Sequence, residues 1–248
     1  TTLNCNHNQL TSLDVSANSA LTTLDVEGNQ LTSLNVSSNT ALTNLQCGEN
    51  ELTSLDVSAN TALTSLSCYG NQLTSLDVSA NTALTSLRCH YNQLTSLDVS
   101  SNTALYGLDC DSNQLTTLDV SSNTALTILN CDSNQLIHLN MKNGVTDQLT
   151  TFDATGNSLT CIEVNAEDVD YATANWTSAN GNIDAGVGFS VVCAPEGYTY
   201  VPDDNFEQAL IDLGYDDTLD DYVLTANISG LTNLNVAGKE IGDLTGIE

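Results

Sequence analysis

Apolar residues return at a fixed interval along most of the chain. Leucine fills two positions of a 21-residue unit, one series running from Leu3 to Leu129 and the other from Leu13 to Leu139. Both series continue, at Phe152 and Ile162, after a two-residue insertion, which gives about eight units. A repeat of this length predicts a solenoid, in which each turn buries its apolar side chains against the neighbouring turns.

Each unit contains two half-repeats, as in LTSLSCYGNQL at 63–73 and LTSLDVSANTA at 73–83. Side chains alternate within LxC and LDV, so one set faces inward and the next faces outward. About ten residues per half leave room for a short strand and a corner but not for a helix. The pattern therefore predicts an all-β dominated solenoid of about eight 21-residue turns, with two parallel sheets of short strands.

Asparagine recurs at both predicted corners of the turn. One series runs from Asn29 to Asn134 and the other from Asn39 to Asn123. Stacked asparagine side chains can bond the backbone groups that a bend leaves unpaired. We predict that both series stabilise the scaffold.

These motifs resemble the leucine-rich repeat family, whose signature is LxxLxLxxNxL. The nested 21-residue unit with LDV in its second half is similar to the IRREKO-type subclass of large secreted bacterial surface proteins. The resemblance covers residues 1–164. It implies a scaffold that binds proteins or glycans and that very rarely catalyses a reaction.

The rest of the chain predicts two further segments. Residues 165–194 are rich enough in apolar side chains to cap the exposed last turn, and they resemble the C-terminal caps of the same family. In 195–248, two prolines flank a linker, a helix begins at Asp203 or Asp204 and ends at Gly214, and LTNLNV restarts the repeat. We predict the helical N-cap and first turn of a truncated second leucine-rich-repeat module, and hence a fragment of a longer protein.

Cysteine fills one inward position of the repeat. Valine and alanine replace it in two turns, at Val26 and Ala154, so the position favours a small buried apolar side chain. A metal ladder would need paired ligands that the spacing lacks, and bridges between parallel neighbours would be strained. We expect free thiols at this position in Cys5, Cys47, Cys68, Cys89, Cys110 and Cys131.

Two cysteines lie outside that position. A disulfide between Cys161 and Cys193 would fix the predicted cap and would suit an oxidising, extracellular setting. The alternative is two free thiols.

The charge balance excludes two classes of partner. The chain has 31 acidic and 3 basic residues, for a net charge of −28. Nucleic acids and anionic membrane surfaces both attract Lys and Arg, so we expect neither as a partner. No apolar run reaches about 18 residues, so no membrane insertion is expected.

The outward positions of the cysteine half vary from turn to turn, whereas the LDV half barely changes. Tyr and Arg are frequent interface anchors, and Tyr also suits sugar rings. The alternative is neutral drift at exposed positions. His90 has no visible nucleophile to activate, so we expect no enzyme. The candidate ligand-binding residues are Gln46, Tyr69, Arg88, His90, Tyr91, Tyr106, Asp109 and Asp111.

Two further rows are candidate sites on the solenoid. Asp56, Asp77, Asp98 and Asp119 recur in register, where neighbours repel by roughly 1 kcal/mol in water, and cations, salt or backbone hydrogen bonds would relieve this. The row is therefore interpreted either as a weak Ca²⁺ site or as a solvated acidic edge. Rows of threonine resemble ice-binding surfaces, although threonine is also common in turns.

The sequence thus favours a non-catalytic extracellular adhesion module, secreted or attached to the cell surface. Its ligand would be an extracellular protein or glycan, and Ca²⁺ is the one cofactor considered. We expect a monomer unless the truncated second module pairs between chains. The alternatives are a structural spacer, a cation-dependent stalk and an ice-binding surface.

Overall fold

The computed structural model describes residues 1–195 and 197–247, and the chain divides into two compact units, Thr1–Val191 and Val192–Glu248. No helix among these described residues is long and apolar enough to cross a membrane. The domain limits at 164 and 194 remain predictions.

The regular elements are short. In the described residues the strands are β1 (Thr2–Asn4), β2 (Thr23–Asp25), β3 (Asn44–Gln46), β4 (Ser65–Ser67), β5 (Ser86–Arg88), β6 (Gly107–Asp109), β7 (Thr117–Asp119), β8 (Ile128–Asn130), β9 (His138–Asn140), β10 (Thr151–Asp153), β11 (Cys161–Glu163), β12 (Gly188–Ser190), β13 (Tyr198–Tyr200) and β14 (Tyr222–Leu224). The α-helices are α1 (Val169–Asn175), α2 (Asp204–Asp212) and α3 (Thr225–Ile228), and 3₁₀ turns span Thr146–Gln148 and Ala166–Asp168.

The cysteine halves of successive turns form one parallel sheet. Its order is β1-β2-β3-β4-β5-β6-β8-β10, and equivalent repeat positions pair directly, such as Leu45 with Leu66. This confirms the predicted solenoid of about eight turns, because the 21-residue period keeps every strand in the same register.

The second predicted sheet forms only towards the end of the solenoid. Its order is β12-β11-β9-β7, and the LDV halves of earlier turns are extended without forming ladder strands in the described residues. In the last turns, Val120 N–H donates to Asn140 O across neighbouring turns at 2.9 Å. A bond within the turn occurs in both kinds of LDV half, from Ser58 N–H to Asp56 at 2.9 Å and from Ser121 N–H to Asp119 at 2.8 Å.

The core lies between the two sides of the solenoid. The repeated Leu, Val and Cys side chains form one buried cluster, in which Leu45, Val57 and Cys68 are fully inaccessible. Each such leucine contributes about 1.5–3 kcal/mol of burial free energy. Since no turn is apolar enough to fold alone, the stability is shared between neighbours.

The first asparagine series satisfies the backbone at its corner, as predicted. Asn71 donates its amide to the carbonyl oxygens of Cys47, Cys68 and Tyr69 at 3.0, 3.0 and 3.1 Å. Its Oδ1 atom accepts from Leu52 N–H at 2.9 Å. One side chain therefore links two adjacent turns.

The second series makes fewer bonds. Asn81 donates to the carbonyl oxygens of Val57 and Asn60 at 3.0 and 2.9 Å, but its Oδ1 is buried without a partner. The scaffold role is confirmed at both corners, and the two corners differ in how fully they use the amide.

An aromatic cluster covers the end of the first unit. Trp176, at the end of α1, packs against Phe152 and Phe189 with ring centroids 4.3 and 5.8 Å away. Strand β12 pairs in parallel with β11 and so extends the second sheet. Aromatic side chains from outside the repeat thus pack on Phe152 of the last turns, and the cap limits of 165–194 remain a prediction.

The cysteines fall into two groups. The six at the shared repeat position are free, and five of them are buried. Cys161 and Cys193 are disulfide-bonded, which is the state that the predicted bridge requires.

The second unit folds around a small core of Val201, Phe206, Leu210 and Val223. Helix α2 begins as predicted, because Asp203 accepts from Phe206 N–H at 2.9 Å. The expected linker is in part wrong: Tyr198–Tyr200 forms β13, which pairs antiparallel with β14. Alternation along this tyrosine-rich stretch favours a strand over a flexible segment.

Candidate binding face

The strand register places part of the candidate set in one row. Gln46, Arg88 and Asp109 occupy the last position of β3, β5 and β6, with Ser67 of β4 between the first two. We use the name variable face for one surface of this sheet. It consists of the outward side chain before each repeat cysteine and the two residues after that cysteine, as in Arg88, His90 and Tyr91 around Cys89.

Tyr69 and His90 stack on this face. Their rings lie 4.6 Å apart at 12°, and the ring of Tyr91 meets His90 edge-on at 5.5 Å and 70°. Because Tyr69 and His90 occupy the same repeat position in adjacent turns, the spacing of the sheet brings them together. The structure therefore joins three of the predicted residues into one aromatic group.

Two residues that the sequence argument missed fix Tyr69. Its hydroxyl donates to Glu27 Oε1 at 2.9 Å, two turns away. Its ring lies over Gly48, where an added Cβ would come within 2.6 Å of the ring. The only sequence signal is that Glu27, Gly48 and Tyr69 share one repeat position, and it does not reveal which way the tyrosine leans.

His90 connects the aromatic group to an acidic one. Its Nδ1 atom lies 3.1 Å from Asp109 Oδ2. Asn130 donates its amide to Asp109 at 3.2 Å and to Asp111 at 3.5 Å. Asp111 is itself buried, with 8% of its surface exposed.

These contacts shift the proton affinities of the group. Burial favours neutral His90, but the contact with Asp109 and the charge of Asp111 outweigh it and raise the pKa of His90. Burial, together with the neighbouring Asp109, raises the pKa of Asp111 to about 6. Burial and the bond to Glu27 raise the pKa of Tyr69 to about 12.

The pKa of Asp109 moves the other way. Burial acts to raise it, but the contact with His90 and the hydrogen bonds from its neighbours outweigh burial and lower the pKa of Asp109. One carboxylate beside the imidazole is therefore held ionised.

Arg88 and Tyr106 stand apart from this cluster. Arg88 is exposed and makes no salt bridge within the described residues. Tyr106 is 48% exposed, makes no ring contact among them, and occupies the repeat position that threonine fills in other turns. Ligand binding by either residue remains a prediction.

The second residue after the cysteine position, which is Tyr91 in this turn, is constrained by its backbone. From the sequence pattern alone this is only a variable outward position, and the structure corrects that interpretation. Its backbone is left-handed in every turn, with φ near +50° to +67° at His7, Gly28, Glu49, Gly70, Tyr91, Ser112, Ser133 and Gly156. The recurring glycines are therefore explained by backbone geometry. Five of the eight turns nevertheless carry a residue other than glycine there. Tyr91 is the bulkiest of these, and 62% of its surface is exposed although a bulky side chain is costly at this backbone geometry.

Solved structures with the same architecture were compared with the chain. The functional domain of InlJ from Listeria monocytogenes, which includes a cysteine ladder, is 44% identical with a TM-score of 0.60 over 66% of this chain. Internalin C2 from the same organism is 20% identical, with a TM-score of 0.60 over 76% of this chain and 80% of its own length. The fold is that of the leucine-rich repeat proteins.

The similarity extends over only part of some of the matched proteins. A leucine-rich-repeat protein from Leptospira interrogans matches at 23% identity and a TM-score of 0.58, over 76% of this chain and 55% of its own. The chain spans 38% of the length of the InlJ domain. No protein-family model and no curated protein matches the chain. The neighbours favour a protein-binding repeat module.

The aspartate row lies on another side of the leucine-rich-repeat solenoid. Asp56, Asp77 and Asp98 each accept a hydrogen bond from the backbone N–H two residues later, at 2.9 Å. Asp119 does the same at 2.8 Å. Backbone bonds are thus one source of the predicted relief. Among the described residues, the group of three potential metal ligands that lies within 4.8 Å does not include this row. Calcium binding there remains a prediction.

The threonine row that contains Thr43, Thr64 and Thr85 carries a structural role. Thr64 donates its hydroxyl to the carbonyl oxygen of Thr43 at 3.0 Å, and Thr85 donates to Thr64 at the same distance. Each hydroxyl thus donates to the backbone of the preceding turn. This favours the scaffold interpretation of the row over an ice-binding surface.

Proposed function

We propose that this chain is a non-catalytic, extracellular leucine-rich-repeat module that binds a protein ligand through its variable face. The observation that carries the proposal is Tyr91, which is 62% exposed although its left-handed backbone favours glycine. A residue that costs stability and shows its ring to solvent is a candidate for recognition.

The neighbourhood of Tyr91 supports this proposal. The stacked Tyr69 and His90 form a rigid base beside it, and the exposed Arg88 supplies a cation on an otherwise acidic molecule. Preformed aromatic and Arg anchors reduce the entropy cost of binding. The likeness to the cysteine-ladder domain of InlJ from Listeria monocytogenes supports a bacterial origin.

The experiment is a binding screen of the immobilised chain against extracellular protein ectodomains, with a glycan array in parallel. We expect a protein ligand whose affinity falls at least tenfold in Arg88→Ser with Tyr91→Ser. Ile137→Ser is the matched control, because Ile137 is 66% exposed and lies in an LDV half-repeat. A ligand that binds the folded double variant as well as the wild type would refute the assignment to this face. Hits confined to the glycan array would replace the protein ligand with a sugar.

A further inference from the structure

One group of mixed ligands stands out among the described residues. His90, Asp109 and Asp111 each offer one nitrogen or oxygen atom, and these three atoms all lie within 4.8 Å of one another. The residues come from two adjacent turns, so the 21-residue register assembles them. The group is distinct from the aspartate row.

Two buried polar atoms border this group. Nδ1 of His90 is inaccessible to solvent and faces Asp109 Oδ2 at 3.1 Å, a contact that pairs the two groups but falls short of hydrogen-bond geometry. The Oδ1 atom of Asn130, whose amide nitrogen faces the two carboxylates, is buried without a partner. Buried groups of this kind cost about 1–3 kcal/mol each when nothing satisfies them.

We propose that His90, Asp109 and Asp111 bind one divalent transition-metal ion of the Zn²⁺ or Co²⁺ type. Imidazole and carboxylate together suit these ions, whereas Ca²⁺ takes six to eight oxygen ligands. Ligands ~2.1 Å from a tetrahedral ion lie ~3.4 Å apart, so a pair at the 4.8 Å limit would close by about 1.4 Å on binding. Three protein ligands leave one position for water or an external group.

The other two histidines provide internal contrasts. His138 lies 3.6 Å from Glu163, but Lys142 already holds that carboxylate at 2.9 Å. His7 lies 3.9 Å from Glu27 and its side chain is 64% exposed. Among the described residues, the His90 group is the one whose imidazole and two carboxylates bring their ligand atoms within 4.8 Å of one another.

The nearby thiols are not ligands in this arrangement. Cys89 and Cys110 precede His90 and Asp111 in the chain and are fully buried in the core on the other face of the sheet. A thiolate site and the proposed nitrogen and oxygen site therefore have different spectra with cobalt.

The test uses the whole tag-free chain, with Zn²⁺ followed by calorimetry and Co²⁺ by visible absorption. We expect one ion per chain and d–d bands without a sulfur-to-cobalt charge-transfer band. Affinity should fall by about tenfold or more in His90→Gln and in Asp111→Asn. His138→Gln, the matched control, should bind as the wild type does, and circular dichroism verifies each fold.

The proposal is overturned by no saturable binding at millimolar metal, by a thiolate spectrum, or by binding that persists in folded His90→Gln. If Asp111→Asn does not fold, His90→Gln decides alone, because His90 is less buried than Asp111. The experiment contains no protein partner, so its result is independent of the proposed ligand binding.

Discussion

At the scale of single residues, Tyr91 shows how one position can oppose local backbone preference. Its φ of +52° lies in the left-handed region, where an L-residue costs roughly 1–2 kcal/mol. The equivalent residue one turn earlier is Gly70, at φ +61°. The same geometry is therefore satisfied at no steric cost in the neighbouring turn.

We predict that Tyr91→Gly unfolds with a free energy about 1 kcal/mol higher than Tyr91→Ala. Both variants remove the ring, so they differ only in backbone preference. Urea unfolding followed by circular dichroism measures the difference. Equal stability, or a more stable alanine variant, would mean that the left-handed geometry is not enforced in solution.

Gly48 controls Tyr69 through space. In Gly48→Ala the new methyl group would come within 2.6 Å of the ring, so we expect the ring to move and its bond to Glu27 to break. The pKa of Tyr69, raised to about 12, should then fall towards its ordinary value, as NMR titration of the tyrosine would show. Gly107→Ala is the control, because its Cβ would meet only Ser86 Oγ, at 4.0 Å. An unchanged titration in Gly48→Ala would contradict the packing described here.

At the scale of elements, the two corners of each turn differ in their hydrogen bonding. Asn71 makes four bonds at the first corner, and Asn81 makes two side-chain bonds at the second. Asn71→Ala should lower the free energy of unfolding by about 2–4 kcal/mol, because it leaves several buried backbone groups unpaired. Asn81→Ala should cost less, at about 1–3 kcal/mol. Chemical denaturation measures both, and the reverse order would refute this account of the corners.

The cysteine ladder is a second element with a measurable state. Burial raises the pKa of Cys68 to about 12, and the five buried ladder thiols are protonated and inaccessible in the native protein, whereas Cys5 is partly exposed. A thiol reagent should react slowly with the folded chain. In denaturant it should titrate six thiols, and eight after reduction, since Cys161 and Cys193 are disulfide-bonded. Eight thiols before reduction would contradict the disulfide, and two or fewer would indicate bridges in the ladder.

At the scale of the whole molecule, a net charge of −28 opposes the compact state. The aspartate row concentrates part of this charge in consecutive turns, where salt screens it. Asn35 occupies the same repeat position and accepts the same bond, from Ser37 N–H at 3.0 Å. Asparagine can therefore replace the row without removing its backbone contact.

We expect Asp56→Asn with Asp77→Asn and Asp98→Asn to fold and to show a smaller rise in melting temperature with added NaCl than the wild type. A matched variant, with Asp147→Asn, Asp170→Asn and Asp217→Asn, removes the same charge from scattered sites. An equal change in both would show that the row has no effect beyond net charge. A wild-type melting temperature that is the same in chelator and in millimolar calcium would remove the calcium hypothesis.

The same row gives a pH dependence. Hydrogen bonds from Ser58 and Ser79 lower the pKa of Asp56 and Asp77. A lowered pKa means that their contribution is present above the unfolded value, near 4, and is lost as the pH falls through the folded value. Between about pH 5 and pH 3 the wild type should therefore lose more stability than the triple Asp→Asn variant. Thermal melts across this range test the sign.

The sequence by itself determined the solenoid, its buried leucines and cysteines, and its asparagine corners. In a repeat, every turn meets the same neighbours, so a local period fixes the long-range register as well. Only the tertiary structure decided that Tyr69 leans across Gly48 to Glu27 and that His90 joins Asp109 and Asp111. The period fixes where each backbone lies, whereas side-chain rotamers and mutual packing between turns decide which residues meet.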